Sequence, residues 1–195
     1  MKNLEFAQAD LLQLPETSLS FDAISCVGVI HHLARPLEGL RALRAVMRRP
    51  SGLKVAVYTE SGRAGIVAGI RLREELGLEP SAEGIREFRQ IVSALPPSHA
   101  ARQLVGMLDF YSVSGCRDLA FHVVEHRYTL PAFAELVGRA GLRIERVVAP
   151  DTAIRQFRAR YPDVNPEASI AEWTAFEAQH PGCFGSMYRL MLAKT

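Results

Sequence analysis

An almost unbroken apolar and β-branched run, Phe21 to Ile30 (FDAISCVGVI), constrains this chain more than any other feature. A run of this length flanked by polar residues predicts a strand covered on both faces, as in a parallel sheet. Pro36 suits a first helical position, and Leu37, Leu40, Leu43 and Met47 recur at intervals of three or four, which predicts an amphipathic helix. Arg49-Pro50-Ser51-Gly52 carries turn chemistry, and Leu53 to Tyr58 predicts a second apolar strand. Two strands joined by a helical crossover make a right-handed βαβ unit, hence an α/β protein.

The remaining segments extend that pattern. Leu4 to Ala9 predicts a short strand that ends at Asp10, and a polar loop follows through Pro15 and Ser20. From Gly62 to about His126 the pattern is helical: Ser81 can cap a helix bearing Ile85, Phe88 and Val92, while Ser98 and Ser114 can open two more. This block, taken as 62–128, is long for a crossover and predicts a helical insertion or cap. Thr129 can cap a helix with Phe133 and Val137 on one face, with Gly141 as its left-handed stop. Leu142 to Ala149 and Phe184 to Ala193 predict strands, with a turn or two of helix at Ile154 to Tyr161 and a helix from Asn165-Pro166 between them.

Composition narrows the class. A chain of 195 residues fits a single domain, 1–195, that buries roughly 70% of its unfolded surface. Its longest stretches without a charged residue are twelve residues, against the ~20 apolar residues of a membrane helix, so no membrane partner is expected. The N-terminus, Met1, Lys2, Asn3, Leu4, Glu5, has no apolar signal core. Cys26, Cys116 and Cys183 are dispersed and form no CxxC pair, which points to a reducing cytoplasm. Net charge is +2 with Arg48 and Arg49 the one adjacent basic pair, so there is no nucleic-acid signature.

The runs Asp10-Leu11-Leu12-Gln13-Leu14-Pro15, Phe21-Asp22-Ala23, Gly28-Val29-Ile30-His31-His32-Leu33 and Arg49-Pro50-Ser51-Gly52-Leu53 together resemble class I S-adenosylmethionine-dependent methyltransferases. They are similar to the family's third to fifth strands. Thr59 through Gly65, Gly115 to Asp118 and His122 to Leu130 resemble bacterial members attached to tetratricopeptide repeats. The resemblance implies a Rossmann-like sheet, mostly parallel with an antiparallel C-terminal strand. It implies S-adenosylmethionine as cofactor and an unidentified methyl acceptor as substrate.

Carried over residue by residue, the resemblance gives Asp10 and Leu11 the adenine side of the cofactor, and puts Val27, Gly28 and Val29 at the strand end where open α/β sheets bind ligands. His31 becomes the candidate base; His32, Tyr58, Glu60, His122 and His126 fall on the substrate side, which Tyr111 and Tyr128 can join. The family's glycine-rich loop and acidic ribose ligand should lie ahead of the matched segment. The sequence from Met1 does not contain them, so the domain reads as N-terminally truncated. Cofactor binding by this chain alone is then expected to be weak or absent, with an upstream segment or a tetratricopeptide-repeat domain as partner. Gly62, Gly65 and Gly69 do not replace the loop, because GxxGxxxG is not GxGxxG. Without upstream strands, Leu4 to Ala9 is expected to pair directly onto the Phe21 to Ile30 strand.

Two alternatives stand beside methyl transfer. One is a non-catalytic remnant or interaction module of the same fold. The other is a zinc hydrolase: His122-Val123-Val124-Glu125-His126 matches HxxEH, which on a helix sets two imidazoles on one face with Glu125 as base, and Glu167, Glu172 or Glu177 available as third ligand. Three fixed positions recur by chance, and no metal is assigned.

Overall fold

The run that predicts a strand covered on both faces lies, among the described residues, at the edge of its sheet. The computed structural model describes residues 3–195, so Met1 and Lys2 lie outside it. It divides into two compact units, one of Met1–Thr59 with His126–Thr195 and one of Glu60–Glu125. The first holds a four-stranded sheet of β1 (Phe21–Val27), β2 (Met47–Tyr58), β3 (Leu142–Val148) and β4 (Met187–Lys194) in the order β1-β2-β4-β3. β1 and β2 pair in parallel across the helix α1 (Pro36–Val46), and β4 pairs antiparallel with both β2 and β3. Three strands therefore run one way and β4 the other, as the Rossmann-like expectation requires.

The register gives each face of the sheet its own rows. Ile24, Leu53, Leu192 and Ile144 lie side by side, as do Cys26, Val55, Leu190 and Val147. These rows join one core with Leu40 and Leu43 of α1, Phe133 and Val137 of α5 (Leu130–Arg139), Phe157 of α6 (Asp151–Arg160) and Trp173 and Phe176 of α7 (Ile170–Gln179). The alternate rows are Val27, Ala56, Arg189, Val148 and Ser25, Lys54, Met191, Arg146. Of these, Ala56 alone is buried.

Three expectations about the N-terminal segment are thereby corrected. β1 is covered on one face, not two: Phe21, Ala23, Ser25, Val27 and Val29 are all exposed, and Val27 keeps 48% of its surface. Residues 4–9 form no strand and pair with nothing on β1; Leu4 and Phe6 stand exposed and Asp10 caps a short 3-10 helix, Leu11–Glu16. The turn at 49–52 does not interrupt β2; it is absorbed as a bulge, since Phe21 faces Met47 while Ala23 faces Gly52. Turn residues within a strand end up where the ladder slips register.

The C-terminal half follows its sequence signals closely. Thr129 Oγ1 accepts from the Ala132 N–H at 3.3 Å to cap α5, and Gly141 takes φ +72° just past its end. The Asn165-Pro166 segment is a turn, with helix beginning only at Ile170. There the Trp173 indole N–H donates to the Pro166 carbonyl at 2.5 Å, and the Trp173 ring stacks on Phe157 with centroids 4.2 Å apart. The polar tip of a large buried ring thus has its partner, as burial demands.

The second unit has its own core of Ile66, Ile85, Phe88, Val92, Leu104, Phe110 and Leu119. Its helices are α2 (Ala64–Glu75), α3 (Ala82–Ala94) and α4 (Val113–Ala120). Ser81 caps α3 as expected, with Oγ accepting from the Gly84 N–H at 3.0 Å. Between α3 and α4 the chain forms 3-10 helices, Ala100–Gly106 and Leu108–Tyr111, not the α-helix expected from Ser98. α4 is capped by Ser112, two residues ahead of the expected Ser114.

Candidate functional site

The C-terminal ends of parallel strands are where ligands bind in open α/β sheets, and here those ends belong to β1 and β2. β1 stops because Gly28 turns out of the ladder at φ +77°, a conformation a glycine adopts freely. A Cβ built there would meet nothing within 4 Å, so space remains for a ligand to reach the backbone. Val27 and Val29 on either side are exposed. The chain then tightens into a 3-10 turn, Ile30–His32.

That turn decides the fate of the two histidines. His31 is turned fully inside, its ring 3.7 Å from the Tyr58 ring at 31°, with His32 edge-on to it at 4.3 Å. His31, expected at the mouth of the site, therefore has no surface with which to touch a substrate. His32 and Tyr58 are half-buried beside it.

A second segment closes over this turn by backbone pairing. The His126 N–H donates to the His31 carbonyl at 2.8 Å, the Tyr128 N–H donates to the Tyr58 carbonyl at 3.0 Å, and Thr59 and Tyr128 form a parallel bridge. The His126 ring sits 3.0 Å, through Nε2, from the Leu33 carbonyl. A carbonyl only accepts, so Nε2 carries the proton and neutral His126 holds its lone pair on Nδ1. Burial pushes the Tyr128 phenol up to about 12, so it stays neutral at physiological pH. Cys26, on the covered face, is likewise pushed to about 11 by burial, partly offset by a backbone hydrogen bond at Ile30. It is no nucleophile.

Asp10 and Leu11 are placed by the 3-10 helix they open. Asp10 Oδ1 accepts from the Leu12 N–H at 2.9 Å, an ordinary cap. Leu11 approaches Gly39 of α1 alongside Ile30 and Leu33, which ties this helix to the turn after β1. Val27, Gly28, Val29, His31, His32, Tyr58 and His126 thus gather at one end of the sheet. Glu60, Tyr111 and His122 belong to the second unit, where Glu60 and His122 are exposed and the Tyr111 hydroxyl donates to the Val105 carbonyl at 2.7 Å.

The HxxEH segment is irregular chain with a bend at Val123, not a helix, so the spacing that would share a metal between His122 and His126 does not apply. Glu125 is engaged elsewhere: its carboxylate takes a bidentate pair from Arg63, at 3.0 Å to Nε and 2.5 Å to Nη2, with both side chains almost fully buried. Among the described residues no group of three His, Cys, Asp or Glu could hold a metal ion. Sequence reasoning missed this pair because its partners lie 62 positions apart with no shared periodicity.

Residues 1–54 match the family model described as a methyltransferase domain. The whole chain shares its fold with PKMT2 from Rickettsia typhi at a TM-score of 0.67 and 14% identity, covering 96% of this chain and 38% of that one. PKMT2 in complex with AdoHcy matches equally, at a TM-score of 0.68 and 13% identity over 95% of this chain and 38% of that one. An uncharacterized protein of Synechococcus sp. is 33% identical over 106 residues, which is 51% of this chain and 25% of that protein. The chain thus spans well under half the length of the proteins it matches. The matched segment ends inside β2, so it contains β1, Gly28 and the His31-His32 turn.

Proposed function

We propose that this chain is part of an S-adenosylmethionine-dependent methyltransferase whose cofactor lies across the ends of β1 and β2. One observation carries the reading: the methyltransferase-matched segment places Gly28, at φ +77° and with open space before it, at the ligand end of a parallel pair. S-adenosylmethionine, when bound, supplies an electrophilic methyl group on a sulfonium. Gly28, with Val27 and Val29, gives the close apolar approach; Asp10 and Leu11 flank the adenine. The glycine-rich loop and acidic ribose ligand are supplied by polypeptide outside residues 1–195, such as an upstream segment or a repeat domain of the parent protein. The three free thiols accord with a cytoplasmic setting.

Proton removal from the methyl acceptor falls to His126, since His31 has no exposed surface. Its Nδ1 is neither buried nor bonded to a described residue, and the Leu33 carbonyl holds the ring in the tautomer that leaves that atom basic. The methyl acceptor is accordingly a group that bears a removable proton. A non-catalytic module of the same fold is the second reading, favoured by the engagement of Asp10 Oδ1 with the Leu12 amide.

Calorimetric titration with S-adenosylhomocysteine separates the two. Binding by the 195-residue chain should be weak, should strengthen when the sequence encoded just upstream is included, and should vanish in Gly28→Val. No heat at millimolar ligand from either version overturns the methyltransferase reading. Ring ¹⁵N spectra test His126 separately: in the neutral ring the proton should reside on Nε2, and a proton on Nδ1 instead overturns its role.

A further inference from the structure

The ion pair of Arg63 and Glu125 has no part in the chemistry described so far. Its side chains are 3% and 6% exposed, and the contact is two-pronged, Nε to Oε1 at 3.0 Å and Nη2 to Oε2 at 2.5 Å. As a source of stability such a pair is poor, because desolvating both charges costs about what their attraction returns and apolar residues of similar volume commonly do as well. Apolar residues would suit the place, since Ile66, one turn further along, belongs to the second unit's core. What an apolar pair lacks is direction. A guanidinium fork binds a carboxylate in one orientation, with both oxygens bonded in one plane.

Direction matters because of where Glu125 stands. Residues 121–127 form neither helix nor strand, so no regular ladder sets the backbone there. Glu125 is the last residue of the second unit, and the peptide bond after it leads into His126. That peptide is planar, so its N–H, which donates to the His31 carbonyl at 2.8 Å, turns as one body with the Glu125 Cα and carbonyl. The His126 ring follows on the same backbone, with Nε2 3.0 Å from the Leu33 carbonyl. A rotation at Glu125 is therefore carried into the ring, and a displacement of about 1 Å is enough to slow a positioned reaction by about 100-fold.

We propose that Arg63 and Glu125 are positioning residues: their buried fork fixes the Glu125–His126 peptide and so holds the His126 ring on the Leu33 carbonyl, with Nδ1 presented to the methyl acceptor. Neither residue touches substrate. The task given to the ring rests on the methyltransferase reading. The mechanical link from fork to ring does not, and it is measured without cofactor.

The test follows the His126 Nε2 proton in the 195-residue protein labelled with ¹⁵N-histidine and ¹⁵N-tryptophan, at a pH where the ring is neutral. Its resonance is the one lost in His126→Gln, and its exchange is read by saturation transfer from water. The indole proton of Trp173, the chain's one tryptophan, is bonded to the Pro166 carbonyl and reports on the first unit as a whole. In the double variant Arg63→Met with Glu125→Leu the His126 proton should exchange at least about tenfold faster, while the Trp173 proton keeps its rate within about twofold. Arg63→Lys, which keeps the charge and loses the fork, should speed His126 exchange in the same direction, and it decides the matter alone if the double variant does not fold. An unchanged His126 rate in a folded variant overturns the proposal. So does equal acceleration of both protons, which would make the pair a general structural tie. Absence of S-adenosylhomocysteine binding would sink the methyltransferase reading and leave these rates as they are.

Discussion

At the scale of single residues, the molecule places charge and aromatic side chains by rules that act across long sequence separations. Arg63 and Glu125 occupy positions 3 and 65 residues past the start of the second unit's boundary at Glu60, and they are bonded in a two-pronged pair shielded from water. Leaving either charge alone in that setting is costly. Glu125→Gln or Arg63→Ala should lower unfolding free energy by about 3–5 kcal/mol in urea titrations, while the apolar double replacement Arg63→Met with Glu125→Leu should recover most of it. A loss below about 1 kcal/mol in the single variants would mean the pair is solvated and weak. The sequence shows both residues but not their pairing. It shows the His31-His32 doublet equally well, yet which ring is buried depends on whether the strand continues past Gly28 or turns there. A continuing strand sends consecutive side chains to opposite faces; the 3-10 turn instead folds His31 onto Tyr58. Local spacing carries no signal for that choice.

At the scale of elements, caps and stops were the most legible features. Ser81, Thr129 and Gly141 mark helix ends through their own short side chain or backbone freedom, which needs no tertiary context. Strand burial was legible only in part. An apolar run states that both faces of β1 favour cover; the described residues supply it on one. The failed strand at 4–9 has the same origin, since a strand exists only when a partner pairs with it and no backbone hydrogen bond among the described residues reaches the outer edge of β1. The two faces give a direct comparison. Val27→Lys adds a charge on the open rows and should change stability by no more than about 0.5 kcal/mol, whereas Val55→Lys, in the covered rows, should cost more than about 4 kcal/mol or prevent folding. Thermal melts of both variants decide this, and equal destabilisation would show that the open face is covered after all.

At the scale of the whole molecule, the core's phenols set an alkaline limit. Burial raises the Tyr128 phenol to about 12, and burial together with the hydrogen bond to Glu177 at 2.6 Å raises Tyr188 further. Both folded values lie above the unfolded value of about 10. The stability they contribute is therefore fully present below about pH 10 and is lost as pH rises through the folded values. Urea midpoints should hold steady to about pH 10 and fall toward 12, and Tyr128→Phe should flatten part of that fall. An unchanged slope in the variant would place the titration elsewhere. The order of strands has a further consequence for how the molecule is made. β4, latest of the four in sequence, lies between β2 and β3, which do not touch each other. During synthesis β1, α1 and β2 can assemble early, but β3 has no ladder to join until residues 187–194 have emerged. The sheet then closes in a single late event around its final strand, and a ribosome stalled short of Met187 would hold the β1-β2 pair and an unpaired β3 segment with their apolar rows unjoined.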